Sequence, residues 1–223
     1  MPLSALWLSA LMILMMKINS VASQPDRAGR HTVRFEDGTS MRLYRQTVED
    51  FGLYAGKELT DEDMKNLRNA AGEMSAKMRA VRIVSASSVS KRDLEYRLVQ
   101  KGEDPKQAKQ AVEGMSDLNL LDDAKTAQQI VDRCIRKGYG RSRAKQALYE
   151  KRIPKEYWEE VLADYPDQTD KIVEFLRSRL NEAFEERDVR RATDALLRRG
   201  HSYQEIRKAM QELTFDADFQ EDY

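Results

Sequence analysis

Three repeats recur along this chain at a spacing close to fifty residues. They are anchored on Leu98, Leu148 and Leu196, which lie 50 and 48 residues apart. Three positions beyond each anchor stand Lys101, Lys151 and Arg199, followed directly by Gly102, Arg152 and Gly200. Ten positions beyond are Ala108, Trp158 and Ile206, and fourteen beyond are Val112, Leu162 and Met210. A period in this range marks a helical array whose repeats bury their apolar faces against one another. A chain of this kind offers a partner an extended surface rather than a pocket for chemistry.

Start and stop signals divide each repeat into three helices. Thr60 is placed to cap a long helix, with acidic residues at 61, 62 and 63 in its first turn. Leu67, Ala70, Ala71, Met74, Met78 and Val81 then recur at steps of three and four, which predicts one buried stripe as far as Ser85. Ser88 or Ser90 begins a second helix that stops at Gly102, and Pro105 opens a third containing Ala108, Ala111, Val112 and Met115. In the next repeat, Ala127, Ile130, Val131 and Cys134 predict a helix ending at Lys137-Gly138. A second helix runs from about Ser142 to Arg152, and a third opens at Pro154. The last repeat has a helix through Ile172, Phe175, Leu176 and Leu180, another over Val189–Arg199, and a third from Tyr203 to Leu213. Ser202 and Glu205 have capping-box spacing at the start of that third helix. Ahead of the repeats, His31–Phe35 and Met41–Tyr44 alternate around an Asp37-Gly38 turn, which predicts a β-hairpin.

The expected architecture is therefore mostly all-α. Three tandem three-helix repeats form an elongated curved array over 60–117, 118–166 and 167–214, with a small hairpin region at 24–59, an apolar extension at 1–23 and an acidic tail at 215–223. A composition of 34% charged and 41% hydrophobic residues suits helices around a thin core.

The apolar run from Leu3 to Met16 is shorter than the roughly 20 residues a membrane-spanning helix needs. Ser20-Val21-Ala22 has some likeness to a signal-cleavage site, but no basic residue precedes the run. A start at Met15 or Met16 is the favoured reading, and the expected compartment is cytoplasmic. The lone Cys134 cannot pair within the chain and falls on an apolar face, as a small core residue would.

Nothing in the sequence assembles a catalytic constellation. His31 and His201 lie in different modules without a His or Cys at ligand spacing. Gly138-Tyr139-Gly140 follows a helix, where a phosphate loop needs a strand, so it reads as a turn. No cofactor and no metal are expected.

Charge is more informative. The formal net charge is zero. Residues 89–155 nevertheless carry 16 basic against 10 acidic side chains, whereas residues 156–223 carry 10 against 18. Arg133, Arg136, Lys137, Arg141, Arg143, Lys145, Lys151, Arg152 and Lys155 face one acid, Glu150, with Tyr139 and Tyr149 interleaved. Basic groups neutralise phosphates and aromatic rings stack on bases, so contact with nucleic acid, or with a filament on it, is one reading of this stretch. Solvated helix faces with tyrosines packed between helices are the other. Arg190, Arg191, Arg198 and Arg199, with Arg187, form a second basic group open to the same two readings.

Leu120-Leu121-Asp122-Asp123, followed by a helix to Lys137-Gly138-Tyr139-Gly140 and then by Ala144 and Leu148, resembles the central pattern of the RecX family of bacterial RecA regulators. Ser90, Arg92, Asp93, Leu94, Arg97, Leu98, Lys101 and Gly102 fit the family's first-repeat pattern, and the resemblance covers about residues 30–213. Ala124 stands near where the family often has Phe, and Arg152 where it commonly has Gly. The resemblance implies a monomer without enzymatic activity. Such a protein would lie in the groove of the RecA–DNA filament and restrain recombination, ATPase and coprotease activity in DNA repair and the SOS response. It implies the RecA filament and single- or double-stranded DNA as partners, no membrane, and no catalytic residues. A helical nucleic-acid-binding module acting without RecA is the alternative.

Overall fold

The computed structural model describes residues 15–180 and 185–220, with residues 214–220 described by backbone alone. The chain divides into two compact units, one of residues 1–83 and 95–117 and one of residues 84–94 and 118–223.

The first unit begins with an antiparallel sheet of strand order β3-β2-β1-β4, from β1 (Met16–Val21), β2 (Arg30–Phe35), β3 (Ser40–Tyr44) and β4 (Glu58–Leu59). The hairpin read from the sequence is β2–β3. Its turn is tightened by Asp37, whose Oδ1 accepts from the Thr39 amide at 2.9 Å and the Thr39 hydroxyl at 2.7 Å. The sequence reading placed residues 1–23 in an extension, and the structure corrects this. Met16–Val21 is an inner strand paired to β2 on one side and β4 on the other. Two features hide it from a pattern search. Its apolar–polar alternation is interrupted by a register shift between Ile18 and Ser20, and one of its partners lies forty residues downstream. Ile18, Val33, Phe35, Leu43 and Leu59 from the sheet meet Leu53, Met64 and Leu67 in one core.

Helix α1 (Arg45–Asp50) lies between β3 and β4, and α2 (Asp61–Ala86) follows β4. The Thr60 hydroxyl accepts from the Asp63 amide at 3.1 Å while Asp63 Oδ2 accepts from the Thr60 amide at 2.9 Å, so the predicted cap is reciprocal. The apolar stripe drifts from its expected course. Met64, Leu67, Ala76 and Ala80 are the buried positions, and Met74, Met78 and Val81 are only half-buried. Alanines this fully covered require neighbouring backbone to come close, so the closest approach falls along 76 and 80 rather than along the methionines. Helix α3 (Lys91–Gln100) ends in this unit, and α4 (Pro105–Asp117) follows it. Glu103, in the turn between them, is buried; it pairs with Arg79 Nε at 2.7 Å and accepts from Ser75 Oγ at 3.0 Å.

The second unit contains α5 (Asp123–Arg136), α6 (Arg141–Glu150), a 3₁₀ turn (Lys155–Tyr157), α7 (Trp158–Ala163), α8 (Thr169–Arg177), α9 (Glu186–Arg198) and α10 (Tyr203–Gln220). The helix expected to open at Pro154 is split, with one tight turn before α7. The capping box of Ser202 and Glu205 is present, at 2.6 and 3.2 Å. Helix α10 continues through Phe215 and Phe219, where the sequence reading placed a tail from residue 215. The apolar residues 3–14, the segment 181–184 and the last three residues of the acidic tail lie outside the described residues.

Two cores fill this unit. Ala127, Val131, Cys134, Ala144, Leu148, Ile153 and Leu162 form one, and Ile172, Leu176, Ala192, Leu196, Ile206 and Ala209 are central to the other. Burial holds the Cys134 thiol above its ordinary range, as expected for a small core residue.

Candidate functional site

Turns, rather than helix faces, connect the cores of the second unit. The two aspartates of Leu121-Asp122-Asp123 cap different helices. Asp122 Oδ1 accepts from the Lys125 amide of its own helix α5 at 2.9 Å, while buried Asp123 accepts from the Lys91 amide, the first of α3, also at 2.9 Å. Beside it, fully buried Ser90 accepts from the Asp93 amide at 3.1 Å and donates its hydroxyl to the Lys151 carbonyl at 2.7 Å. About fifty residues on, the same joint is built from backbone. The Gly140 amide donates to the Arg199 carbonyl at 3.0 Å, and the Ser142 amide to the Gly200 carbonyl at 3.3 Å. A Cβ on Gly140 would lie 2.1 Å from the Gly200 oxygen, so no side chain fits there. His201 donates from Nε2 to the Gly138 carbonyl at 3.0 Å, and the Tyr165 hydroxyl donates to the Tyr139 carbonyl at 2.6 Å.

These joints sort the basic residues singled out by the sequence. Arg143 is half-buried, pairs with Glu150 at 3.0 Å and has its backbone against Gly200. Lys151 and Arg152 are half-buried in the turn that Ser90 grips, and Arg152 holds a positive φ of 53°. Tyr139 is half-buried against the core around Leu148, with Lys137 Nζ 6.0 Å from its ring centroid. Arg199 is half-buried, with its guanidinium over the Phe175 ring at 4.4 Å.

The rest are exposed. Arg133 and Arg136 lie in the last turn of α5 and lead to exposed Lys137. Arg141 and Lys145 stand one turn apart on the open side of α6, and Tyr149, one turn further, is 72% exposed. Tyr149, not Tyr139, is therefore the aromatic available for stacking, which the sequence could not settle between two tyrosines of the same stretch. On α9, the 100° step separates Arg190 from Arg191 and Arg198, which face Arg179 across a cleft. Arg179 was not singled out by the sequence, because nothing local distinguishes it; the packing of α9 near the end of α8 brings it in.

Among the described residues, no group of His, Cys, Asp and Glu is arranged to hold a metal ion, and no helix is long and apolar enough to cross a membrane. His31 Nδ1 is engaged by the Ala22 carbonyl at 2.8 Å.

Residues 122–162 match the family model described as "RecX, second three-helix domain". The chain is 24% identical to "Regulatory protein RecX" of Clostridioides difficile (strain 630) over 154 residues, covering 69% of this chain and 72% of that one. To the protein of the same name from Caldanaerobacter subterraneus subsp. tengcongensis it is 24% identical over 187 residues, covering 83% and 94%. The fold is similar to "Crystal structure of regulatory protein RecX", with a TM-score of 0.57 and 18% identity over 88% of this chain and 99% of that one. It is also similar to "Crystal structure of RecX from Lactobacillus salivarius", with a TM-score of 0.56 and 22% identity over 66% and 99%.

Proposed function

We propose that this chain, which belongs to the RecX family, acts in the cytoplasm as a monomeric, non-enzymatic regulator that binds the RecA filament on DNA and restrains it. The reading combines the regulatory name carried by its relatives with the partner that the sequence resemblance implies. One observation supports it most. The two joints of the second unit repeat the same turn-to-turn contact, Ser90 to Lys151 and Gly140 to Arg199. The Gly140–Arg199 joint thereby holds the second and third repeats in a fixed register, and helices α6 and α9 each carry exposed cations. A filament is itself periodic, so several weak contacts in fixed register add through effective concentration.

In this proposal Arg133, Arg136, Lys137, Arg141, Lys145, Arg190, Arg191 and Arg198 meet the filament, while Arg143, Lys151, Arg152, Arg199 and Tyr139 set the geometry of the joints. Lowered ATPase, strand exchange and coprotease activity of RecA, and so a damped SOS response, would follow from restrained filament growth. The test is the steady-state ATPase of RecA on single-stranded DNA, titrated with the full chain. Inhibition well below one chain per RecA protomer is expected, and no effect at equimolar protein would refute the proposal.

The exposed ridge of Arg141, Lys145 and Tyr149 favours a second reading, direct nucleic-acid binding without RecA. A salt-dependent gel shift by this chain alone, with no effect on RecA, would establish that reading instead.

A further inference from the structure

The last third of the chain is acidic in sum, yet its arginines gather on one side of one helix. On α9, Asp188, Arg191, Ala192, Ala195 and Arg198 share a flank, and across from them the end of α8 supplies Phe175 and Arg179. Together they line a cleft of 460 Å³. Its floor is apolar. The Phe175 ring carries Arg199 over it at 4.4 Å and Arg179 over it at 5.4 Å, so it serves as a support for guanidiniums. Three guanidiniums border the opening against one carboxylate. That carboxylate, Asp188, is already used as the N3 partner of the α9 capping box, and its distance to Arg191 is a long 3.8 Å. Arg191, Arg198 and Arg179 are all exposed, and no acid among the described residues lies within ion-pair distance of Arg179 or Arg198.

We infer that this cleft binds backbone phosphates of a nucleic-acid strand, without reading its sequence. Guanidinium forks match phosphate oxygens in pairs, and three like charges held beside one carboxylate that the capping box already uses leave a positive field that an anion relieves. The lining favours phosphate over an acidic peptide. A peptide is usually held by pockets for anchoring side chains or by free backbone groups, and Ala192 and Ala195 offer neither. Sequence reading is disfavoured for a similar reason, since the aromatic ring in the cleft is engaged by two guanidiniums. The inference rests on the proposed contact with a DNA filament and adds where, and through what chemistry, the third repeat would touch the strand.

The experiment compares the full chain with an R191A/R198A variant. Binding of a fluorescent oligothymidine is measured across a range of salt concentrations, without RecA. A K109A variant on α4 is the control for unspecific charge loss. Each phosphate contact on a single strand contributes a slope of about 0.7 in log K against log salt, so the double variant should lose about 1.4 from the slope, and the control nothing. An unchanged slope in the double variant overturns the inference. So does an oligoglutamate peptide that competes for the wild-type cleft as well as the oligonucleotide does, because the cleft would then be a carboxylate site. A charge-reversed R198E variant guards against compensation by Arg179, and unaltered binding by it also overturns the inference. Failure of the regulatory proposal is distinguishable: a wild-type chain that binds oligothymidine through the cleft yet leaves the RecA ATPase untouched refutes that proposal and leaves the phosphate site standing.

Discussion

Ser90 donates its side-chain hydroxyl to the Lys151 carbonyl at 2.7 Å, in the place where Gly140 uses its backbone amide to reach the Arg199 carbonyl at 3.0 Å. One joint thus depends on a side chain and the other on the absence of one. Ser90→Ala removes both the cap of α3 and the link to Lys151, and should cost about 1–2 kcal/mol. Gly140→Ala pushes a methyl group into the Gly200 carbonyl and should cost about 3 kcal/mol. Urea denaturation followed by circular dichroism separates the two; equal effects would show that the joints are not built as described.

Arg152 is strained where its counterparts in the other repeats are glycines, with φ of 53° against 88° at Gly102 and 87° at Gly200. A left-handed backbone costs a residue with a Cβ about 1 kcal/mol. Arg152→Gly should therefore raise the melting temperature by about 2–4 °C, as read by calorimetry; an unchanged or lower value would show that the turn is not limited by this backbone strain.

Two of the exposed cations on α6 can be changed without touching a joint. An R141E/K145E variant should keep its helical circular dichroism and lose at least most of its inhibition of the RecA ATPase. Inhibition equal to that of the wild type would reduce these residues to a solvated face. Arg143 is a poor choice for this test because its pairing with Glu150 and its packing on Gly200 confound binding with folding.

His201 gives the second unit a pH dependence. Its Nε2 proton is committed to the Gly138 carbonyl, and Nδ1 is buried without a partner among the described residues. Burial lowers its pKa from 6.5; the Gly138 bond and Glu205 oppose that shift, and Arg199 adds to it. The folded chain thus binds fewer protons at this ring than the unfolded chain does. The resulting stability is present above pH 6.5 and is lost as the pH falls toward the folded pKa. Melting temperatures measured downward from pH 7.5 should decline for the wild type and decline less for His201→Gln. Identical declines would assign the acid sensitivity elsewhere.

Strand β1 holds Ile18 in the core and pairs with both of its neighbours. A chain beginning at Ala22 should lose the cooperative unfolding of the first unit while keeping the helical signal of the second. Retained protection of the Glu36 amide, which donates to the Lys17 carbonyl of β1, would in hydrogen exchange contradict the inner position of β1.

The helix boundaries were legible because their causes are local. Thr60 and Ser202 each cap the helix that begins beside them, Ser90 does so as one of the two serines that the sequence offered, and residues three positions apart carry the whole signal. The β2–β3 hairpin was legible for the same reason, through Asp37-Gly38. The period of fifty identified the repeats, and Leu120-Leu121-Asp122-Asp123 with the Lys137–Gly140 turn and the Ser90–Gly102 pattern carried the resemblance to the RecX family. Long-range packing decided the rest. Asp123 reads as one more acid at a helix start, yet it caps α3 thirty-two residues upstream. Tyr139 and Tyr149 have equivalent claims in the sequence, and only packing against the core around Leu148 half-buries the first and leaves the second open. The arginines of α9 have one charge and one helix, and the helix's rotation against α8 sends Arg191 and Arg198 to the cleft and Arg190 away from it. Sequence pattern determines what a segment becomes when the forces are local; which face of that segment meets solvent depends on neighbours far along the chain, and only the folded arrangement supplies them.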